Sequence, residues 1–273
     1  MENLDVIAAR LKRLESQYEL VRFLKVVIAL RNEVLQDVDA KEFVMEGFNE
    51  RVASNVARGE RPFLDDEVLN KINYRKYSET LLKLLEGLRA AGLGDGVLTY
   101  LINSLSTEPD FSKKFLRSVL LGEKMGEQLS MVSLDVFRVL ALAPLHKVLK
   151  AVNKLNSRLD AAVFVRGCLT CGSPYSLAVY RSGFKHLVCA VCGNVVRVDF
   201  FYCPNCGSTD PKSMRFLASE EEPFLQLDVC DRCNTYRKVI IQDIIGVEID
   251  DHLLLEAVTK DLDALAADLL KKD

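Results

Sequence analysis

Apolar residues recur at steps of three and four positions from residue 4 to about residue 160. One such row is Leu4, Ile7, Leu11 and Leu14, and a second runs from Tyr77 to Leu88. This spacing places apolar side chains on one face of an α-helix. The pattern therefore predicts a bundle of six or seven helices in the first part of the chain.

Residues that end or begin helices interrupt this pattern at three places, residues 58–66, 91–96 and 106–112. Glycine, proline and aspartate there can end one helix, while serine, threonine or aspartate can cap the next. From Ala162 the pattern changes to short runs rich in β-branched and aromatic residues, separated by glycine- and asparagine-containing turns. These runs predict strands. After residue 250 the helical pattern returns and predicts one last amphipathic helix.

The predicted fold class is α+β, with four segments. Residues 1–161 form an all-α helical domain, residues 162–200 and 201–245 form two small rubredoxin-like, zinc-ribbon-type β modules, and residues 246–273 form a C-terminal helix. The first segment is long enough to be an independent domain.

The β-rich segment contains four Cys-x-x-Cys pairs, which are its candidate metal ligands. They are Cys168/Cys171, Cys189/Cys192, Cys203/Cys206 and Cys230/Cys233, and they account for all eight cysteines. A tight turn can aim both thiolates of one pair at a single ion, and a second pair completes a tetrahedral sulfur shell. A residue that tolerates a left-handed backbone follows each pair: Gly172, Gly193, Gly207 and Asn234. The spacing predicts two four-cysteine sites for zinc or iron.

Two pairings of these turns are open from the sequence. Sequential pairing joins the first pair with the second and the third with the fourth, and produces two consecutive rubredoxin-like ribbons. Crossed pairing joins the first with the third and the second with the fourth, and produces a RING-like arrangement. We favour the sequential pairing. A thioredoxin-type site uses a single Cys-x-x-Cys, and a disulfide scaffold is rare in a reducing compartment, so both are weaker interpretations.

The composition argues against two classes of partner, nucleic acids and membranes. The chain of 273 residues has a net charge of −3, from 36 basic and 39 acidic residues, which provides no field to attract nucleic acid or an anionic membrane. The N-terminal segment lacks the pattern of a secretory signal, and no apolar run is long enough to span a bilayer. We expect a cytoplasmic protein that binds neither nucleic acid nor membrane. No nucleotide-binding, metalloprotease or hydrolase motif occurs in the sequence, so we expect no enzymatic activity.

The cysteine-rich segments resemble those of one known family. The stretches CLTCGSP, HLVCAVCGNVVRV, YCPNCGS and DVCDRCNTYRKV, followed by an acidic, leucine-rich helix, resemble the formate dehydrogenase accessory protein family, FdhE, from about residue 164 to residue 270. Upstream the likeness is looser, because Ala29 and Arg31 stand where members of the family often have glutamines.

The resemblance implies a cytoplasmic assembly factor that does not itself oxidise formate. The implied partner is the catalytic subunit of a molybdenum- or tungsten-dependent formate dehydrogenase, bound during maturation through a surface that includes the metal ribbons. Tyr236 and Lys238, just after the last cysteine pair, are the predicted partner contacts, because an exposed aromatic ring and a long cation often anchor interfaces. A zinc-ribbon regulator that binds nucleic acid and a rubredoxin-like electron carrier are the alternatives.

Overall fold

The first part of the chain is helical. The computed structural model describes residues 2–94, 96–123, 134–156 and 167–270. Its helices up to residue 156 are α1 (Glu2–Glu15), α2 (Glu19–Val34), α3 (Phe48–Ala57), α4 (Asp66–Leu69), α5 (Tyr74–Ala90), α6 (Gly96–Thr107), α7 (Phe111–Leu121), α8 (Leu134–Leu142) and α9 (His146–Asn156). This part of the described chain thus has nine helices instead of the six or seven expected, partly because the single turn of α4 is too short to leave a periodic pattern.

All three predicted breaks coincide with junctions between helices. The first contains a short 3₁₀ turn at Pro62–Leu64, and the Asp65 side chain then caps α4 by accepting a hydrogen bond from the Glu67 backbone nitrogen at 2.7 Å. The other two separate α5 from α6 and α6 from α7. Helix starts leave backbone N–H groups without partners, so the Asp65 side chain stabilises the start of α4. Asp110, which precedes α7, makes no such bond with its side chain.

The predicted apolar row on α5 is the buried face of that helix. Tyr77, Leu81, Leu84, Leu85 and Leu88 are each at most 2% exposed. The Tyr77 hydroxyl donates a hydrogen bond to the Ala141 carbonyl at 2.9 Å, so the one polar atom of this row has a partner.

Six strands follow and form one mixed sheet. They are β1 (Leu177–Arg181), β2 (Phe184–Val188), β3 (Val195–Val198), β4 (Met214–Ala218), β5 (Leu225–Cys230) and β6 (Thr235–Ile241), in the spatial order β3-β2-β1-β6-β5-β4. Neighbouring strands are antiparallel, except for the parallel pair of β1 and β6. The sequence pattern missed β4, an edge strand with only one of its five residues buried. The predicted α+β fold class is confirmed.

The sheet consists of two halves with the same topology. In each half a cysteine pair precedes two antiparallel strands, and a second cysteine pair lies where the second of these strands ends and the chain turns into the third. The hairpin between β1 and β2 turns at Ser182 and Gly183, whose φ angles of 52° and 76° match the right-handed twist of a hairpin. The two predicted β modules are therefore two halves of one continuous sheet, joined along β1 and β6.

One face of the sheet is covered by helices. After β6 come α10 (Gln242–Ile245), α11 (His252–Val258) and α12 (Asp261–Leu270). Apolar residues of α11, α12 and α1 form one core with the strands; from the helices these include Ile7, Leu255, Val258, Leu262 and Ala266. The predicted single C-terminal helix is thus two helices, interrupted at Thr259 and Lys260. The apolar residues of both cover the sheet.

Two compact units account for these contacts. One contains the chain up to Lys25 and all residues from Ser173 onward, and the other contains Val26–Leu155. The predicted boundary between residues 161 and 162 lies outside the described residues, and the predicted segment limits stay predictions. Among the described residues no helix has the length and apolar character required to cross a membrane.

Candidate metal centres

The cysteine turns have the backbone geometry that the sequence predicts. Gly172, Gly193, Gly207 and Asn234 have φ angles of 75°, 72°, 72° and 50°. The Gly207 backbone nitrogen donates to the Cys203 carbonyl at 2.8 Å, and the Gly193 nitrogen donates to the Cys189 carbonyl at 2.9 Å. These bonds close tight turns that bring the two sulfurs of a pair to the same side.

At Gly193 a side chain is also excluded by contact. A Cβ atom there would lie 2.6 Å from Nδ1 of His252, the first residue of α11. Such a distance is far shorter than a van der Waals contact, and the left-handed φ angle is unfavourable for other residues as well. Glycine at this position therefore lets α11 approach the second cysteine pair.

The structure groups the eight cysteines as sequential pairing predicts. The first centre consists of Cys168, Cys171, Cys189 and Cys192, and the second centre consists of Cys203, Cys206, Cys230 and Cys233. Within each centre all four sulfurs lie within 4.8 Å of one another. Crossed pairing is not the arrangement in this structure.

The sulfur positions fit a metal ion and not a disulfide. Sulfurs at about 2.3 Å from a tetrahedral ion lie about 3.8 Å apart. The Cys203–Cys233 and Cys206–Cys230 sulfur separations are 3.6 and 3.7 Å, and the Cys168–Cys192 separation is 3.4 Å. A disulfide needs about 2.05 Å. Two metal ions could therefore be held, and sulfur ligation is compatible with zinc or iron.

The two centres differ in burial. All four cysteines of the first centre are buried, with at most 2% exposure. In the second centre Cys203 and Cys230 are buried, whereas Cys206 and Cys233 are partly exposed. Solvent can therefore reach two residues of the second centre and none of the first.

A buried cation contacts the second centre. Arg237 on β6 is 1% exposed, and its Nη1 donates to the Cys203 sulfur at 3.6 Å. Burial opposes ionisation of Cys203, but the Arg237 charge and backbone N–H groups of Cys206 and Asn205 outweigh this effect and lower the pKa of Cys203 to about 6.

The other buried sulfur of this centre behaves in the opposite way. Burial, together with the neighbouring Cys203, raises the pKa of Cys230 to about 12. Cys203 and Cys230 therefore do not ionise together without a cation between them, and a bound metal ion would have to displace the proton from Cys230.

A buried ion pair lies on the same sheet face as Arg237. The Lys185 ammonium on β2 pairs with the Asp228 carboxylate on β5, and both side chains are fully buried. Lys185 also donates to the Phe200 carbonyl at 3.1 Å, and Gln226 donates to Asp228 at 2.6 Å. Because desolvation outweighs the attraction of Asp228, the pKa of Lys185 is lowered. These bonds satisfy Asp228 without Arg237.

Tyr236 and Lys238 lie on the opposite sheet face, since side chains alternate along a strand. Lys238 is 1% exposed and pairs with Glu256 at 2.6 Å and with Asp263 at 3.1 Å. The Tyr236 hydroxyl donates to Asp263 at 3.1 Å. The expected exposure is therefore wrong for Lys238, and Tyr236 is half-buried: both residues hold the C-terminal helices to β6. Contact with a partner at these residues stays a prediction that would require α12 to move.

Sequence reasoning missed Arg237, Lys185 and Asp228. One signal could have found a pair of them, because the last cysteine turn closes a β-hairpin with Cys230 opposite Thr235. That register places Asp228 opposite Arg237. No such local rule could have brought Lys185, from the other half of the sheet, to Asp228.

Comparison with known proteins gives two curated relatives. Both are named Protein FdhE homolog. The one from Aquifex aeolicus is 29% identical over 108 residues, which are 36% of this chain and 37% of that protein. The one from Rhizobium meliloti is 28% identical over 165 residues, which are 56% of this chain and 50% of that protein. The chain thus spans half or less of the length of these relatives.

One solved structure shares the fold. The crystal structure of the FdhE protein from Pseudomonas aeruginosa superposes with a TM-score of 0.60 and covers 96% of this chain and 90% of that one, at 19% identity. No family model matches the chain. The chain is thus similar to FdhE proteins in sequence over part of its length and in its fold, and the expected resemblance to these proteins is confirmed.

Proposed function

We propose that this chain, with its likeness to FdhE proteins, is an accessory protein for formate dehydrogenase. In this proposal it binds the catalytic subunit of a molybdenum- or tungsten-dependent enzyme in the cytoplasm during maturation, through a surface that includes the metal centres. It does not itself oxidise formate. The FdhE name of the two relatives and the FdhE fold support this role.

The observation that carries the proposal is the presence of two four-cysteine centres within this fold. Zinc in such a centre would supply folding energy, and iron would add a one-electron couple. Eight thiols that need a metal ion, and not a disulfide, favour a reducing compartment. The tight turns of the chain position the sulfurs, and two of the eight cysteines, Cys206 and Cys233, are partly exposed.

The distribution of basic residues does not favour the nucleic-acid alternative. A protein that binds phosphates needs lysine and arginine side chains at its surface. Two basic residues of the sheet, Arg197 and Arg215, are exposed, and Arg215 pairs with Asp231 at 2.7 Å. Three others are each at most 2% exposed: Lys185, Arg237 and Lys238. Their charges face carboxylates and cysteine sulfurs inside the protein.

An electron carrier is the second candidate, and one observation favours it. The partly exposed Cys206 and Cys233 would place a bound iron near the surface, where an electron donor could approach. A reversible one-electron couple in the protein as isolated, together with the absence of a stable partner, would support this candidate over the first.

Affinity capture from the native host tests the proposal. The full chain carries a tag, and the captured proteins and metals are measured in the same sample. We expect the catalytic subunit of formate dehydrogenase to be enriched with the wild-type chain and not with a tagged, unrelated four-cysteine zinc protein of similar charge. Capture of nucleic acid without the subunit would contradict the proposal.

A further inference from the structure

The second centre differs from the first in two respects that affect how an ion is held there. Cys206 and Cys233 are partly exposed, whereas every cysteine of the first centre is buried. In addition, Arg237 contacts the second centre from inside the sheet.

Aromatic side chains pack beside the second centre. Phe201 and Phe216 pack against the cluster formed by Cys203, Met214 and Cys230. Phe200 lies against both rings, with its ring centroid 4.9 Å from Phe201 and 5.0 Å from Phe216, and it is 48% exposed. The Thr235 hydroxyl lies 3.1 Å from the Cys233 sulfur, on the partly exposed side of the centre.

The charge of Arg237 needs a counter-charge inside the protein. A buried guanidinium is strongly unfavourable unless an anion is close. Asp228 lies opposite Arg237 in the sheet, but its oxygens are taken by Lys185 and Gln226. The Nε and Nη2 groups of Arg237 have no hydrogen-bond partner among the described residues. The bond that the guanidinium does make is the one from Nη1 to the Cys203 sulfur.

A loaded second centre supplies this counter-charge. Four thiolates around one divalent ion carry a net charge of about −2. Because hydrogen bonds to charged groups are stronger than those between neutral groups, the contact between the Arg237 guanidinium and the Cys203 sulfur is strongest when that sulfur is a ligand of the bound ion. Arg237 and the bound ion therefore stabilise each other.

We propose that the second centre is the exchangeable metal site of this chain, and that Arg237 is the positioning residue that retains a soft divalent cation there. The inference rests on the metal loading assumed in the proposed function. Exchange begins at the exposed side: a donor group of an incoming chelator bonds to the ion as the bond to Cys206 or Cys233 breaks, and the released thiolate takes a proton from water. The first centre, whose four cysteines are all buried, releases its ion more slowly.

Metal release from the full chain tests this directly. The protein is loaded with two zinc ions, counted by elemental analysis, and mixed with an excess of a chromogenic chelator. We expect two phases of equal size. Cys206→Ser should remove the fast phase, and Cys171→Ser should remove the slow one, which assigns each phase to a centre independently of Arg237.

Variants of Arg237 test its role. Arg237→Gln should speed the fast phase by about tenfold or more, the range expected for losing a hydrogen bond to a charged group, and leave the slow phase unchanged. Arg237→Lys keeps the charge and should restore part of the retention, which a merely structural role would not do. Circular dichroism and the unchanged slow phase show that the variant is folded.

Three results would overturn the inference. These are release of both ions in a single phase, a fast phase that survives Cys206→Ser, and a fast phase of unchanged rate in folded Arg237→Gln. A chain that takes up no zinc at all would overturn the metal-dependent proposed function as well, so the two failures are distinguishable.

Discussion

Replacement of Arg10 should destabilise the unit that contains the sheet, although this residue is far from it in sequence. Arg10 on α1 is 3% exposed. Its Nε donates to the Val258 carbonyl at 2.5 Å, and its Nη groups pair with the Glu222 and Asp261 carboxylates. The residue thus joins α1 to the end of α11, the start of α12 and the loop before β5.

The loss of stability expected for Arg10→Gln can be worked out from the groups that lose their hydrogen-bond or ion-pair partner. Removing one partner of a fully buried ion pair costs about 3–5 kcal/mol. The side chains of Glu222 and Asp261 are 24% and 29% exposed, so water relieves part of that loss. The buried Val258 carbonyl would still lose its partner, which costs about 1–3 kcal/mol. We expect a loss of about 2–4 kcal/mol in total.

Arg13 is a matched control on the same helix. It contacts the same two carboxylates, at 3.1 Å and 3.9 Å, but its side chain is 49% exposed. Arg13→Gln should cost no more than about 0.5 kcal/mol, as exposed ion pairs do. Both variants are compared with the wild type by urea unfolding of the metal-loaded full chain, followed by circular dichroism. Equal midpoints for the two variants would refute the reasoning.

The remaining predictions concern the metal centres and Lys238. Cys168→Ser should lower the metal content from two ions per chain to one, counted by native mass spectrometry; two retained ions would contradict the assignment of four cysteines to this centre. The affinity of the second centre for zinc should decrease as the pH falls, by about tenfold per pH unit for each proton displaced. The reason is that the pKa of Cys230 is about 12, so this thiol stays protonated until an ion binds. A pH-independent affinity for zinc would count against this. Lys238→Ala should lower the free energy of unfolding by about 2–4 kcal/mol, because it leaves Glu256 and Asp263 without their buried cation; wild-type stability in the variant would show that the ion pairs contribute little.

The sequence predicts the centres well because their geometry is local. A two-residue spacing and a left-handed residue after the second cysteine determine each turn, and both can be read directly from the chain. Sequential pairing of the turns is also favoured by short connections, because the segment between two paired turns is a single β-hairpin.

The burial of Arg237 and Lys238 was not predicted from the sequence, because it depends on contacts between segments that are distant along the chain. Alternation along β6 is visible in the sequence, but the face that receives Arg237 and the face that receives Lys238 depend on what covers each of them. Carboxylates of α11 and α12 allow Lys238 to be buried, and the sulfur cluster accommodates Arg237. A rule that places lysine and arginine at the surface therefore fails at both positions.

The packing of α1 was missed for the same reason. Its apolar row is visible from Leu4 to Leu14, but a periodic pattern does not identify the surface that covers it. In the structure Ile7 joins the core of the sheet, and Arg10 supplies the polar contacts. Such a pairing between the two ends of the chain has no local signal.

Deletion of the gene in the native host, with measurement of formate-dependent dye reduction in cell extracts, tests the proposed accessory role most directly. We expect this activity to be lost while the catalytic polypeptide is still synthesised, as judged by quantitative mass spectrometry. The wild-type chain should restore the activity, and a Cys203→Ser, Cys230→Ser variant should not. Full formate dehydrogenase activity in the deletion strain would contradict the account.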